Sequence, residues 1–590
     1  MTTNSAQVGA EPKDRFGLAA PFGTLVFVWL PTIILLLGAS AYRLKFAPYS
    51  TDTYYLVHQD LLVLGLELAV TVVLGLASGL GSARFGALFA RSPRAWACGL
   101  AVLVGVIGVI GAPFVFEGYT LSLDEFLANF DAQIFASGQL MAPVSEQWQP
   151  FASALQPMYL LPTPDDSVWA SSYLPVNAAL RALASLAGLE GWVNPLLSAA
   201  SVALVYAVAR RLWPGRPGLA LAAAALLASS SQLVVTSMTA YAMPGHLALN
   251  LAWLWLFLRG GRLGHAGAVL VAFLATGLHQ LIFHPLFAAP FVLQLWLDRR
   301  WRIASLYTIA YALIGLFWIE YWQLELRLVG ISPEAAHSVG GGWFLDRIAE
   351  ILAQFRWEAL SIWGQSLVRF VTWQNPLTTP LALIGLLAAV RAKGNLRALA
   401  LGVVLTLAAV LVLVPSQTNG WGYRYLHGLL GSICLLATWS WARLTDGLSA
   451  SRRATAAGGF ALACAISLLV LTPLRTWQAW RYCHPYAVAE AQIRSARTQV
   501  VIVDHEMTPG FDAGTLVRND PFLRGGPKVM ELSSMDEDML RELCSRYSVA
   551  MFDGRNAAAD GVDVVPFTSP AEVKALRALV AKLECAKALG

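Results

Sequence analysis

Asp124 and Glu125 form an adjacent carboxylate pair just beyond the end of an apolar segment. They lie in a stretch, Glu117 to Tyr173, that holds seven acidic residues and no Lys or Arg. A carboxylate held at a membrane surface can act as a base on a lipid-linked substrate. Asp at a helix start is equally favoured as an N-cap, where it satisfies orphan backbone N–H groups. Residues 123–143 read as an amphipathic surface helix, because Phe126, Phe130, Ile134 and Phe135 fall on one apolar face. Asp131 follows Asp124 by seven residues, two turns, and so projects to a similar side.

Other candidates lie far along the chain. Arg424 is the only charged residue of 415–425 and is flanked by Tyr423 and Tyr425, a pattern that also suits an interfacial Arg in an aromatic belt. His246, His279 and His284 fall near outer helix ends, which fits either a divalent-cation site or a polar cavity lining. Arg347, Arg356 and Arg369 in the segment 340–370 suit a lipid phosphate or a solvated polar face. Trp343, Phe344, Ile348, Ile351, Leu352 and Phe355 there suggest a second interfacial helix. Asp60 and Glu67 sit in or near the second apolar segment, where an acid reads as functional or as an interhelical polar contact. Asp165 and Asp166 follow two prolines and read as a surface turn.

These residues need a frame. The 590-residue chain is 57% hydrophobic and 13% charged, far below the roughly 25% charged of soluble domains. It is a polytopic helical membrane protein with a soluble end. The net charge of +5 is spread over short loops, so it is not a nucleic-acid signal. The six Cys show no metal-ligand spacing; among Cys483, Cys544 and Cys585 one disulfide is possible. Residues 1–20 show no cleaved signal peptide, so the first helix is itself the anchor.

Apolar stretches from 21–42 to 455–474 predict about thirteen spans. The pair within 263–297 is short and reads as two short helices broken at Pro285, and 173–190 reads as a helix in the outer interface. Six loops (81–95, 210–216, 259–262, 298–302, 391–397 and 443–453) hold seventeen Lys or Arg and two Asp. They alternate with 117–173, 237–243, 320–375 and the loop around Arg424. The positive-inside rule then places the N-terminus in the cytoplasm and the long loops and tail outside. The tail, 476–590, alternates β-rich runs (499–504, 528–532, 548–553) with helical patterns (536–547, 570–588), which predicts a small α/β domain. No Gly-rich phosphate loop follows a strand.

Taken in order, several segments resemble the GT-C superfamily of membrane glycosyltransferases, the group of protein O-mannosyltransferases, lipid A aminoarabinose transferases and bacterial family 39 proteins. They are Asp124-Glu125 with its helix and Ser137-Gly138-Gln139-Leu140, Tyr173-Leu174-Pro175, the basic-ended 193–213, NGWGYRYLHGLLG at 419–431, and 517–532 in the tail. The resemblance runs from about residue 95 to the end. Two departures stand out: Tyr173-Leu174-Pro175 lacks the first Pro and preceding Lys of some members, and two helices precede the usual first span.

The resemblance implies transfer of a sugar from a polyprenyl-phosphate donor to a cell-envelope glycan, lipid or protein. The chemistry is a single inverting displacement on the periplasmic face of a bacterial inner membrane. It gives the base to Asp124, with Glu125 as helper or alternative. Arg424 would face the leaving phosphate, and Tyr423, Tyr425, Tyr173, Asp131, His246 and His279 would line the substrate cavity. The sequence leaves the need for a divalent cation open. The domains implied are a cytoplasmic tail (1–20), two accessory helices (21–94), a GT-C-like module (95–475) with outer loops 117–191 and 320–375, and a periplasmic α/β domain (476–590). The rival classes are a transporter or lipid-linked-saccharide flippase, a membrane scaffold or sensor, and a ligase moving whole oligosaccharides.

Overall fold

The computed structural model describes residues 20–76, 91–155, 159–161, 163, 166–332, 349–353, 356–414, 416–504, 513–562 and 569–589. Trp343, Phe344, Arg347, Ile348, Phe355 and Asp165 lie outside them, as do residues 1–19.

The chain is mostly helical. Among the described residues, seven helices are long and apolar enough to cross a membrane: Pro21–Phe46, Thr51–Leu76, Pro93–Val115, Glu190–Leu212, Trp301–Ile319, Asn395–Leu413 and Ala450–Ser495. The helices Pro217–Ala228 and Ser231–Ser237 meet at 58° and together make an eighth candidate. This is fewer than the thirteen expected, because several apolar runs form helices too short to qualify: Gly261–Thr276, Phe283–Leu297 and Thr378–Val390. Short helices can still sit at membrane depth when neighbours cover their ends. The break inside 263–297 falls at 277–282, before Pro285, which sits in the first turn of Phe283–Leu297 where its missing N–H costs nothing.

The kink between Ala228 and Ser231 has a local cause. Ser229, Ser230 and Ser231 offer hydroxyls that compete with the helical ladder. The Ser230 side chain accepts from the Leu233 N–H and restarts the helix as its N-cap.

Outside the apolar bundle, the Leu123–Ala136 helix packs on Val176–Ser185. Phe130 and Ile134 are buried in one cluster with Trp169 and tail residues Val500 and Met530. The tail carries a four-stranded parallel sheet in the order Lys528–Glu531, Val500–Val503, Val549–Phe552, Ala586–Ala588. Val500 pairs with Lys528 on one side and Val549 on the other. The central strand is buried at all four positions, as a parallel strand covered on both faces should be. The helices Glu537–Arg546 and Ala571–Leu583 flank it, and Cys544 is disulfide-bonded to Cys585. Cys483 is free and buried.

The tail is fastened to the outer helix. Arg518 donates to the carbonyls of Thr120 (2.8 Å) and Leu121 (3.4 Å) and lies over the Phe126 ring. Trp169 Nε1 donates to Pro521 O at 2.7 Å. The acidic loop is thereby fixed between bundle and tail, and Asp124 with it.

Candidate active site

Ser122 begins the outer helix, which leaves Asp124 in its first turn rather than at the cap. The capping work falls to Glu125, which sits three residues after the cap. Its carboxylate accepts from the Ser122 N–H (3.4 Å) and the Ala240 N–H (3.2 Å). Burial pushes it up to about 7 against those two hydrogen bonds. Glu125 therefore ties the helix start to the 240 turn. As an alternative base it is committed to backbone groups.

Asp124 is free for another task. Its Oδ2 accepts from Arg424 and its Oδ1 accepts from the Tyr173 hydroxyl. His279 Nε2 stands 4.0 Å from Oδ2. Burial raises the carboxyl, but Arg424 first, then His279 and Tyr173, outweigh it and hold Asp124 below the usual carboxylate range. Burial drives the His279 imidazole below its ordinary range, while the facing Asp124 carboxylate pulls it the other way.

The aromatic surroundings hold the geometry. Tyr173 stacks on His279 with ring centroids 4.2 Å apart, and Tyr425 stacks on Phe283 at 5.7 Å. The Arg424 guanidinium lies 5.5 Å over the Tyr241 ring and 5.2 Å over Tyr425, an arrangement that offsets loss of water around a cation. Arg424 Nε has no hydrogen-bond partner among the described residues. Beyond the guanidinium runs a narrow pocket lined by His246, Asn250, Phe283, Thr406 and Tyr425. Both ring nitrogens of His246 are buried and without hydrogen-bond partners among the described residues.

Asp124, Arg424, Tyr425, Tyr173 and His279 thus come together, with His246 further along the pocket. Two expected lining residues do not face it. Asp131 is sealed by Ser171, whose N–H (3.0 Å) and hydroxyl both donate to its carboxylate; burial raises it to about 6. Its seven-residue spacing from Asp124 instead lets one helix face grip both ends of the Ser171–Tyr173 segment. The Tyr423 side chain is fully buried and its hydroxyl lacks a partner among the described residues; its carbonyl accepts from Gln232 Nε2 at 2.9 Å, which fixes the loop.

Arg369 corrects another expectation. It lies on neither a solvated face nor a free lipid surface: it is buried, pairs with Asp60 at 3.3 Å and donates to Gly420 O. Asp60 makes the interhelical contact foreseen as its alternative role, whereas Glu67 is fully buried with neither oxygen hydrogen-bonded among the described residues.

A divalent cation does not fit the donors present. Among the described residues no three His, Cys, Asp or Glu side chains converge. Both nitrogens of His284 are taken, by Asn250 (2.7 Å) and Tyr311 (2.9 Å), and Asp124 is engaged by Arg424.

Sequence reasoning missed Tyr241, Asn250 and Gln232. Gln232 had a legible signal, since it ends a run of three serines inside an apolar stretch. Tyr241 and Asn250 gave none.

No family model matches the chain, and no curated protein does. Among solved structures the chain is similar to ArnT from Cupriavidus metallidurans in the apo state, at 13% identity and TM-score 0.46 over 73% of this chain and 85% of that one. It is also similar to ArnT from Cupriavidus metallidurans bound to undecaprenyl phosphate, at 13% identity and TM-score 0.48 over 73% and 86%. At that identity and score the likeness carries no weight about chemistry, which rests on the side chains described above.

Proposed function

We propose that the protein is a membrane glycosyltransferase that moves a sugar from a polyprenyl-phosphate donor to a cell-envelope acceptor. The observation that carries the reading is the buried Asp124–Arg424 pair, whose arginine also lines a small pocket with His246, Phe283 and Tyr425. The acceptor hydroxyl oxygen attacks the anomeric carbon, and the bond from that carbon to the phosphate oxygen breaks with inversion. Its electron pair leaves with the lipid phosphate, and the hydroxyl proton passes to Asp124. Arg424, with its Nε free, receives the phosphate charge. His246 supplies a polar contact for the sugar, and Tyr173 with His279 fixes the carboxylate.

The donor dictates the side. Nucleotide sugars do not reach the outer face of an inner membrane, so the site, both long loops and the tail are read as periplasmic, with the N-terminus cytoplasmic. The loop charges favour this, and so does the Cys544–Cys585 disulfide, since disulfides persist in oxidising compartments. The GT-C-like module at 95–475 and a separate periplasmic α/β domain at 476–590 belong to the same reading. A transporter or flippase is a second reading, favoured by the bend between Ala228 and Ser231 and by the buried charges of Asp60, Arg369 and Arg475.

The test is sugar transfer from labelled polyprenyl-phosphate sugars by purified protein, wild type beside Asp124→Asn. Donor consumption that vanishes in the folded variant supports both the class and the base. Consumption that survives keeps the class and moves the base elsewhere. No turnover of any donor, with crude envelope as acceptor source, shifts the weight to the transporter.

A further inference from the structure

The second span, Thr51–Leu76, belongs to the helix pair that looked accessory by sequence, yet three residues near its start hold the loop that carries Arg424. Asp52 accepts from the Ser416 hydroxyl at 3.2 Å. The Tyr55 hydroxyl donates to Asn419 Oδ1 at 3.2 Å. Asp60 pairs with Arg369 (3.3 Å) and Arg475 (2.9 Å), and accepts from Thr372 (3.0 Å) and Trp373 (3.3 Å). Arg369 then grips Gly420 O with Nε at 3.2 Å and Nη2 at 2.5 Å, while its guanidinium lies 3.7 Å over the Tyr55 ring.

Asp60 closes a π-helical turn, Leu56–Asp60, an irregularity that often marks functional positions. The gripped backbone runs alongside Arg424. Gly420 has φ +153°, and a Cβ there would stand 3.3 Å from Arg424 Cδ, so the placement of this backbone bounds the Arg424 side chain. A planar guanidinium can hold Asp60 on one edge and a carbonyl on another, which an ammonium cannot reproduce.

We infer that Asp60 and Arg369 are positioning residues that set Arg424 at the donor phosphate, and that the first helix pair is a working part of the site. This rests on the reading of Arg424 as the phosphate ligand.

The experiment measures binding of undecaprenyl phosphate to purified protein in detergent, with donor and acceptor KM, for wild type, Arg369→Lys, Asp60→Asn and Arg424→Gln. Arg369→Lys keeps the charge balance around Asp60, so it separates the grip from the fold. The expected result is about tenfold weaker phosphate binding and about tenfold higher donor KM in Arg369→Lys, with acceptor KM unchanged. Asp60→Asn should move the same two quantities in whatever fraction folds. A merely structural role would reduce the yield of folded protein and leave the affinity of that fraction at the wild-type value; this result overturns the inference. If Arg424→Gln loses phosphate binding while Arg369→Lys keeps it, the inference fails and the function stands. If Arg424→Gln binds undecaprenyl phosphate as wild type does, both fail.

Discussion

Arg424 donates to Oδ2 of Asp124 across 300 residues of chain, and the two side chains are only 9% and 12% exposed. A buried pair of this kind costs desolvation that its own attraction barely repays. A donor phosphate would compete with Asp124 for the same guanidinium, and a carboxylate freed from its cation is a stronger base. The pair is therefore suited to couple donor arrival to activation of the acceptor.

Asp124→Asn should lower the transfer rate by about 10³-fold, within the range for loss of a positioned base. Combined with Arg424→Gln in a double-mutant cycle, the two changes should be non-additive by more than about 1 kcal/mol. Steady-state transfer assays with donor in excess read both.

Tyr173→Phe removes the hydroxyl that Asp124 accepts from but keeps the ring that stacks on His279. That hydrogen bond lowers the Asp124 pKa, so its loss raises it. The base must be ionised to act, so the acid limb of the rate profile should move to higher pH, with the maximal rate down about threefold. A pH series of initial rates checks this.

Glu125 links stability to pH. Its carboxyl ordinarily titrates near 4.5 and is raised to about 7 in the folded protein. Between these values the folded state holds a proton that the unfolded state has lost, so stability falls as pH rises from 4.5 to 7 and then levels off. The Glu125 contribution is on the order of 3 kcal/mol. Glu125→Gln should flatten that slope in chemical denaturation followed from pH 5 to 8.

Gly422 has φ +68°, and a Cβ there would fall 2.4 Å from Gln232 Oε1. Gln232 cannot step aside freely, since it donates to Tyr423 O and accepts from Gln374 Nε2, both at 2.9 Å. Gly422→Ala should cost about 2 kcal/mol in stability and displace Arg424, with donor KM rising. Thermal melts beside transfer assays test this.

The sequence exposed what local pattern can carry. The amphipathic outer helix was legible because its aromatic residues recur at helical spacing. Arg424 was legible because it is the lone charge in its loop. The Asp60–Arg369 pair was not, since nothing in either segment names a partner 309 residues away. The job of Glu125 was masked because an adjacent Asp and Glu look alike until one is seen turned toward backbone N–H groups. The last strand, Ala586–Ala588, was read as the end of a helix; Ala-Lys-Ala favours helix locally, and pairing with Val549–Phe552 overrides it. Hydropathy does not register where a helix ends, so the polar break at Ser229 and the shortness of Gly261–Thr276, Phe283–Leu297 and Thr378–Val390 were not legible in it.

The helix Ala450–Ser495 runs for 46 residues, about 70 Å at 1.5 Å per residue, more than twice the thickness of a hydrocarbon core. Its far end leads within a few residues into the central strand of the tail sheet, so the tail is mounted on a helix rather than a tether, one that carries a π-helical turn at Ser467–Leu471 and an internal proline, Pro485. Arg475, buried against Asp60, sits partway along that helix. A load applied to the tail would therefore reach the contact of Arg475 with Asp60 along Thr472–Ser495, past the bend-prone Pro485.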